Sequence, residues 1–553
     1  MLSEELKSIV QGDVITDSEA LRHASRDASL FELTPQVIVA PKDTNDISAL
    51  VKFVSENTHS EKHLSLTARS GGACMSGGPL SDSIILDMKP YFNKILDVNE
   101  NNATVQPGTY YRDFEKETLR HDRIMPSYPA SRDICTVGGM VANNAGGEKT
   151  LSYGKTQDYV LELKTVLANG KEYSFKPLSK ADLNIKMKLQ NFEGELYRKI
   201  FNLIESNKEL IMNAKPNVSK NSAGYYLWDV YDGKTFDLTK LLVGSQGTLG
   251  IITEIKFRLI QPKKASKMLV IFLKKEDIPK LGEIATKILE FKPETFESYD
   301  KNTFKLALKF FPSLIKALRP KHVFKMIMHF LPEFWMLLTG GLPEMVLMAE
   351  FTSDSQEELD KNASSAEKAV KDLDLKTHIT KSEEEEEEFW VIRRKSFELL
   401  RNKIKGKQTA PFIDDIIVRP KYLPEFLPKL SAIIQKYEDK LIYTVAGHIG
   451  DGNLHIIPLM DLTDPTVRAV IPKLSDEVYA LVKEYKGSIT AEHNDGIIRT
   501  PYLQDMYGED VYNLFKEVKN IFDPKNIFNP GKKVGGTKAF ALAHMKKDNQ
   551  HDL

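Results

Sequence analysis

Short apolar runs closed by turn residues, alternating with stretches of helical spacing, mark the chain from Val37 to about Leu259. PQVIVAPKD predicts a strand ended by proline, and TNDISALVKFVSEN predicts a helix capped by Thr44 or Asn45. LSLTARSGG repeats the pattern of a strand running into glycines. SIILDM, ATVQPG and VLELKTVLANG are further predicted strands bounded by turn residues. The pattern predicts an α+β domain rich in glycine turns. It contains neither GxGxxG nor GxxxxGK(S/T), so nothing argues for a Rossmann or P-loop nucleotide site.

The character changes from about Lys267. MLVIFL, MVLMAEF and IIPLM predict strands, and the stretches near 275–290, 355–371, 421–437 and 473–486 predict helices. Glu383 to Glu388 is a run of six carboxylates, expected to be a solvated helix face ahead of the apolar Phe389 and Trp390. Between Asp300 and Glu333 there is no acidic residue but seven basic ones, interleaved with Phe304, Phe310, Phe311, Phe324 and Phe330. A cationic, aromatic insert over 301–345 fits either contact with an anionic lipid interface or a helical pair that packs internally or docks a partner.

Composition narrows the function classes. A chain of 553 residues predicts two to four domains with ample core. Its two cysteines, Cys74 and Cys135, are too few for an iron–sulfur cluster or a disulfide framework. The expectation is a reduced, cytoplasmic protein, with peripheral contact at the cytoplasmic membrane face as the alternative. MLSEELKSIVQGDV has no apolar signal region, and no run of about 18 apolar residues predicts a membrane span. Basic and acidic residues balance to a net charge of −1, so no global field attracts nucleic acid.

Three glycine clusters carry the first chemistry: Thr67 to Gly78, Thr136 to Gly147 and Gly244 to Thr253. Glycines allow successive backbone N–H groups to converge on an anion without a side chain in the way, and a pyrophosphate is a natural guest. A second constellation is Gly447-His-Ile-Gly-Asp-Gly-Asn-Leu-His455. Taking Asp451-Gly452 as a two-residue hairpin turn places His448 opposite His455, about 5 Å apart at Cβ. That is a chelating arrangement. Downstream, Glu492 and His493 are adjacent, so in an extended segment one would ligate and the other serve a different role.

ARSGGACMSGG, TVGGMVANNAGG, GSQGTLGIITE and IFNPGK, in this order, resemble the vanillyl-alcohol-oxidase-type flavoproteins. Within them, the chain is most similar to the FAD-linked D-2-hydroxyacid dehydrogenases acting on D-lactate, glycolate or D-2-hydroxyglutarate. The resemblance spans roughly residues 30 to 534. It implies a helical start over 1–29 and a two-lobed FAD-binding domain over 30–265. A substrate or cap domain with an antiparallel sheet would follow over 266–500. A segment over 501–534 would return to the FAD domain, and a flexible tail would cover 535–553.

The resemblance also assigns residues. Arg69, Ser70, Gly71, Gly72, Ala73, Met75 and Ser76 would line the pyrophosphate, and Gly138, Gly139, Asn143, Gly146, Gly247 and Ile252 the rest of the cofactor. A divalent metal, with zinc favoured over manganese or iron, would be held by His448, His455 and Glu492, and His493 would be the catalytic base. Arg393, in the Trp390-Val-Ile-Arg sequence, would clamp the substrate carboxylate, with Asn453 beside it. Relatives with covalent flavin carry histidine where this chain has Ala73, so FAD is expected to be noncovalent. Gln246 replaces the family's usual glutamate. Dicarboxylate-specific relatives carry lysine where this chain has Ile413, which favours a D-lactate-like substrate. Electrons would pass to an external quinone, electron-transfer flavoprotein, cytochrome or iron–sulfur subunit. Two competing readings are a facial-triad oxygenase built on the same ligands and a non-catalytic flavin-binding subunit.

Overall fold

The computed structural model describes residues 2–57, 64–309, 341–403 and 406–548. Three larger sheets organise it, beside a two-stranded pair of Leu178–Ser179 with Thr235–Phe236. In the first, Val37–Ala40 and Leu66–Arg69 flank Ile84–Asp87 in parallel, and Asp13–Ile15 adds an antiparallel edge. All four residues of Val37–Ala40 are buried, as expected for a strand covered on both faces. The helix Thr44–Glu56 follows, capped by Asp43, whose carboxylate accepts from the Asn45 and Asp46 N–H groups. The cap therefore lies one or two residues before the predicted Thr44 or Asn45. An aspartate with extended backbone reaches the free N–H groups of the first turn, which are the cap's task.

A second sheet is wholly antiparallel, in the order Ile95–Val98, Asn102–Val105, Ile251–Arg258, Val160–Val166 and Glu172–Phe175. Ile251–Arg258 alternates buried and partly exposed positions, the signature of a half-covered sheet. The third and largest sheet is also antiparallel. Its path is Lys376–Ile379, Ala265–Leu273, Met345–Ser353, Thr295–Asp300, Leu441–His448, Asn453–Met460 and Gln408–Thr409. Helices Leu281–Leu289, Gln356–Ala369 and Leu423–Gln435 cover one face, each burying an apolar stripe.

The chain then returns to the first sheet. Leu66 N–H donates to Ile527 O at 2.8 Å and Asn529 N–H to Leu66 O at 2.9 Å, with Ile527 and Phe528 fully buried. This is the role of the IFNPGK sequence. The Asn529 amide donates to Gly78 O and Gln246 O, at 2.9 and 2.7 Å, and so ties the first and third glycine clusters together.

Two expectations are corrected here. Residues 535–548 are not a loose tail: they form a helix at Lys538–Ala543, and Met545 bridges Phe31 and is buried. Residues 549–553 lie outside the described residues. The glutamate run is a solvated face only in part, with Glu383, Glu384 and Glu387 exposed. Glu385, Glu386 and Glu388 are buried, because the helix Glu383–Lys403 packs against the Ala265–Leu273 strand. Glu385 accepts from His378 at 2.8 Å and Glu386 from Ser266 at 2.6 Å, so buried acids find donors. The basic insert begins as a helix at Lys301–Lys309, and 310–340 lie outside the described residues. Among the described residues, no helix is long and apolar enough to cross a membrane.

Asn529→Ala strips two buried carbonyls of their donor. It should lower unfolding free energy by about 1–3 kcal/mol, read by urea denaturation.

Candidate functional site

A cavity of about 640 Å³ runs between the sheets, with the glycine clusters at one end and the histidine constellation at the other. Arg69, Ser70, Gly71, Gly72, Ala73, Met75, Gly138, Gly139, Asn143, Gly146, Gly247 and Ile252 all line it. Ser76 does not. It is fully buried behind the loop, where its carbonyl accepts from Ile497 N–H at 2.8 Å. Close approach explains two of the glycines. A Cβ on Gly138 would lie 2.4 Å from Pro107 Cβ, and one on Gly146 would lie 2.9 Å from Glu492 Oε1. The second glycine cluster is thus pressed directly against the carboxylate end of the cavity.

The glycine end fits an anion. Arg69 is 7% exposed and donates through Nη2 to Arg26 O at 2.6 Å, while its Nη1 reaches no protein acceptor. Burial lowers the pKa of this guanidinium, opposed by the negative charges of Asp27 and Asp87. The backbone N–H groups of Gly71, Gly72 and Ala73 likewise meet no protein acceptor among the described residues. A buried cation and a row of unspent N–H groups lack only an acceptor, which the pyrophosphate of a dinucleotide would supply. Gln246 sits in the left-handed region at φ 53° and donates to Asn143 Oδ1 at 3.1 Å. Its Oε1 accepts from Gly496 N–H at 2.8 Å, which binds the third glycine cluster to the loop after Glu492 and His493. Both cysteines line the cavity, and burial raises both thiols, Cys135 to about 12, so they pack as small unreactive groups.

At the other end the hairpin register differs from the one counted on the sequence. His448 pairs with Asn453 and Ala446 with His455, so Ile449 to Gly452 form a four-residue loop. Asp451 N–H donates to His448 O and Gly452 N–H to Ile449 O, a helical-type turn that replaces the expected two-residue one. His448 and His455 are therefore diagonal rather than directly opposed. They still share one face, with ring centroids 5.1 Å apart.

Each member of the expected ligand set is oriented through its other atom. His448 Nδ1 contacts Glu297 Oε1 at 2.5 Å, leaving Nε2 3.5 Å from Glu492 Oε2. His455 Nδ1 contacts Asp414 Oδ1 at 3.2 Å, leaving Nε2 4.0 Å from Glu492 Oε2. Glu492 Oε1 accepts from the fully buried Lys220 at 2.7 Å, leaving Oε2 to face the two rings. Two nitrogens and one carboxylate oxygen converge, each held by an outer partner, as metal ligands characteristically are. A second grouping, of Asp415, His455, Glu492 and His493, also brings ligand atoms within 4.8 Å of one another. Asp415 is spent elsewhere, however. Its Oδ2 accepts from Thr490 Oγ1 and from the Glu492 and His493 N–H groups at 2.6 to 2.8 Å. The donor set His448, His455 and Glu492 fits a divalent cation better.

His493 projects beside this set and its ring lies 5.1 Å from that of His455. Its Nδ1 is 2.9 Å from Asp414 Oδ2, off the hydrogen-bond axis, so the tie is electrostatic. Burial lowers the basicity of His493, but Asp415 and Asp414 outweigh it and raise the ring to about 9. Burial is likewise outweighed at His448, which Glu297 raises to about 9. For Glu492, Lys220 and His448 overcome burial and hold the carboxyl well below its usual range.

Arg393 faces the cavity, 3.1 Å from Glu297 Oε2, whereas Arg394 is tied to Glu148 by two contacts of 2.7 and 3.1 Å and stacks on Trp390. Both arginines line the cavity, and their partners distinguish them: Arg393 shares Glu297 with His448, whereas Arg394 is tied to Glu148. Asn453, expected beside substrate, is fully buried outside the lining, where its amide donates to Asp415 Oδ1 and Ile416 O. It is part of the scaffold of the hairpin. Ile413 is also fully buried in the core and does not line the cavity.

The family model for the FAD binding domain matches residues 35–176, and that for the C-terminal domain of FAD linked oxidases matches 265–533. The chain belongs to the FAD-linked oxidase family. It is 28% identical over 533 residues to a D-2-hydroxyglutarate dehydrogenase of Pseudomonas putida, covering 94% of this chain and 50% of that protein. It is 27% identical to a D-lactate dehydrogenase of Archaeoglobus fulgidus, covering 96% of this chain and 98% of that protein. The chain spans about half the length of the first curated relatives it matches. The crystal structure of p-cresol methylhydroxylase with bound substrate aligns at a TM-score of 0.67 and 17% identity, covering 96% of each chain, which shows the shared fold.

In this FAD-linked oxidase, several site residues carry no local sequence signal. Lys220 lies in a loop between the glycine clusters, and Glu297 on a strand whose neighbours are buried. Asp414 and Asp415 had a signal that went unused, since two acids inside the apolar run FIDDIIV point to buried carboxylates with assigned partners.

Arg69→Met should weaken FAD binding by about tenfold or more, the scale of one charge-assisted pair. Fluorescence titration of the apoprotein with FAD checks it.

Proposed function

We propose that the protein oxidises a D-2-hydroxyacid to the 2-oxoacid with noncovalent FAD and a divalent metal, passing the electrons to an external acceptor. One observation carries this reading. A single cavity joins the anion-ready Arg69 loop to the convergent His448, His455 and Glu492 atoms, with His493 beside them. Two nitrogens, one carboxylate and room for further ligands suit catalytic zinc, and manganese or iron would also be accepted. When bound, the ion supplies acidification of a coordinated hydroxyl and the flavin supplies hydride acceptance.

The chain's own residues do the rest. His493 takes the hydroxyl proton, with the ring held in place by Asp414 and by stacking on His455. A cation held by the neighbouring ligands opposes a proton on that ring, so the base is neutral in the loaded site and protonated in the bare one. Arg393 anchors the substrate carboxylate, and Glu297 fixes both Arg393 and His448 on the same side of the cavity. Ala73 offers no nucleophile to the flavin, which supports noncovalent attachment.

The cap wall supports a small substrate side chain. Thr303, Thr444, Ala446 and Ile457 line it, and among the described residues no lysine does. Arg394 is committed to Glu148, and Arg132, the other arginine of the lining near it, lies over the Tyr128 ring. A D-lactate-like acid fits this wall better than 2-hydroxyglutarate. Relatives that the chain matches over nearly their whole length are named D-lactate dehydrogenase, glycolate oxidase subunit GlcD and D-2-hydroxyglutarate dehydrogenase, so the lining of the cavity and not the names carries the choice among these acids. The acceptor is a quinone, an electron-transfer flavoprotein, a cytochrome or an iron–sulfur subunit.

Anaerobic D-lactate should bleach the bound flavin, more completely than D-2-hydroxyglutarate and unlike L-lactate. Failure of every D-2-hydroxyacid would overturn the reading. Chelation should abolish bleaching while leaving FAD bound, with recovery on adding back zinc or manganese. His493→Ala should retain FAD and metal but slow flavin reduction by about 10²- to 10⁴-fold, as loss of a general base does. Stopped-flow absorbance reads the rate, and elemental analysis reads the metal.

A further inference from the structure

The two terminal segments outside the matched family regions, residues 2–34 and 534–548, pack on each other behind the glycine loop. Met545 is buried and bridges Phe31. On either side, Glu32 N–H donates to His544 O and Lys546 N–H to Leu30 O, both at 2.9 Å. Asp548 pairs with Arg26 at 2.5 Å, and the Lys546 ammonium reaches Asp27 O at 3.4 Å. The far side of the segment is tied as well, because Lys538 pairs with Asp476 on the helix Val470–Glu484 at 2.7 Å.

The gripped stretch is the one that holds the cofactor loop. Arg26 O accepts the 2.6 Å hydrogen bond that fixes Arg69 Nη2, and the buried Asp27 supplies a negative charge near the same guanidinium. Phe31 packs on the loop itself, since a Cβ on Gly77 would lie 3.0 Å from the Phe31 ring. No residue of the C-terminal segment lines the cavity.

We propose that Thr537–Asp548 is a clasp that holds Arg26–Phe31 against the glycine loop. It thereby sets the position of Arg69 and the affinity for FAD without touching the cofactor. The physical logic is preorganisation. An arginine already held by a carbonyl and facing a cavity costs little further ordering when an anion arrives, whereas a loosened one must be ordered on binding. Thr537–Asp548 is accordingly a positioning element. The inference rests on the FAD reading above, and it predicts a change in cofactor retention rather than in turnover.

The test uses the full chain. Met545→Asp places a charge in the buried seat of the clasp and should release it, seen as rapid tryptic cleavage at Lys538, Lys546 or Lys547. FAD dissociation constants should rise by about tenfold or more, while turnover at saturating FAD stays within about twofold of the parent. Asp548→Lys sets like charges against Arg26 at a partly exposed position, so it tests the same contact if Met545→Asp does not fold. It should raise the FAD dissociation constant about threefold. Leu542→Ser, at an exposed position of the helix Lys538–Ala543 within the same segment, should change neither reading. Release of the segment with FAD affinity within about twofold of the parent would overturn the proposal. So would weakened FAD binding with no release, or an Asp548→Lys variant indistinguishable from the parent. A parent chain that binds no FAD would defeat the functional reading instead, which keeps the two failures apart.

Discussion

Asp414 and Asp415 are adjacent, fully buried and both charged, and the chemistry-bearing end of the cavity is assembled around them. Burial alone would raise both carboxyls; the positive charge of His493 and His455 holds them low. Asp414 spans His455 and His493, while Asp415 gathers Thr490, the Glu492 and His493 N–H groups and Asn453. The φ of 65° at Asp415 turns its side chain into this crowd. A backbone strained in this way persists only when its surroundings over-determine it, and here four donors to the carboxylate do. The hairpin with the histidines and the loop with Glu492 and His493 are therefore not separate motifs that meet. Both are organised by the same acid pair.

A second constraint joins the two halves of the chain through cations supplied by the FAD-binding side. Lys220 neutralises Glu492 and Asp451 together, linking the carboxylate loop to the hairpin turn. Lys149 and Tyr153 meet Glu294 across the contact with the large sheet, and Arg394 meets Glu148 in the opposite sense. Buried pairs of this kind lose much when one partner is removed, because the other is left charged in a low-dielectric interior. Glycine does the complementary work of removing side chains. Gly146 admits the Glu492 carboxylate, and Gly138 admits Pro107. The cavity is continuous because small residues permit contact where cations require it.

The parts that were legible in the sequence are those with a local cause. Strands ending in glycine, the helix after Pro41 and the antiparallel strands from Ala265 follow from period and turn chemistry, and the structure contains them. The pairing of two histidines on one sheet face was also legible, since alternate residues of a strand share a face whichever turn joins them. The exact register was not. The Asp451-Gly452 pair favoured a two-residue turn locally, yet Gly452 packs against Val418 O and the loop takes four residues. Tertiary packing decided between two turns of similar local cost. The glutamate run shows the same limit, because a charge pattern says nothing about donors arriving from His378 and Ser266.

Taken alone, the amino-acid sequence determined the elements, the glycine loops that can approach an anion, and the donor types His448, His455, Glu492 and His493. Each of these depends on residue identity and on neighbours a few positions away. Only the tertiary structure decided which atoms converge, because a ligand's orientation is set by what holds its other end. Glu297, Asp414 and Lys220 come from three distant parts of the chain to do so. It also removed Asn453 and Ile413 from the cavity and turned the last described residues from a tail into a packed segment. Burial is a property of the whole fold, so no local reading could assign it. The two cysteines mark the boundary well: their number excluded a cluster from the start, and their place in the cavity lining, Cys135 buried and Cys74 half-buried, came only with the fold.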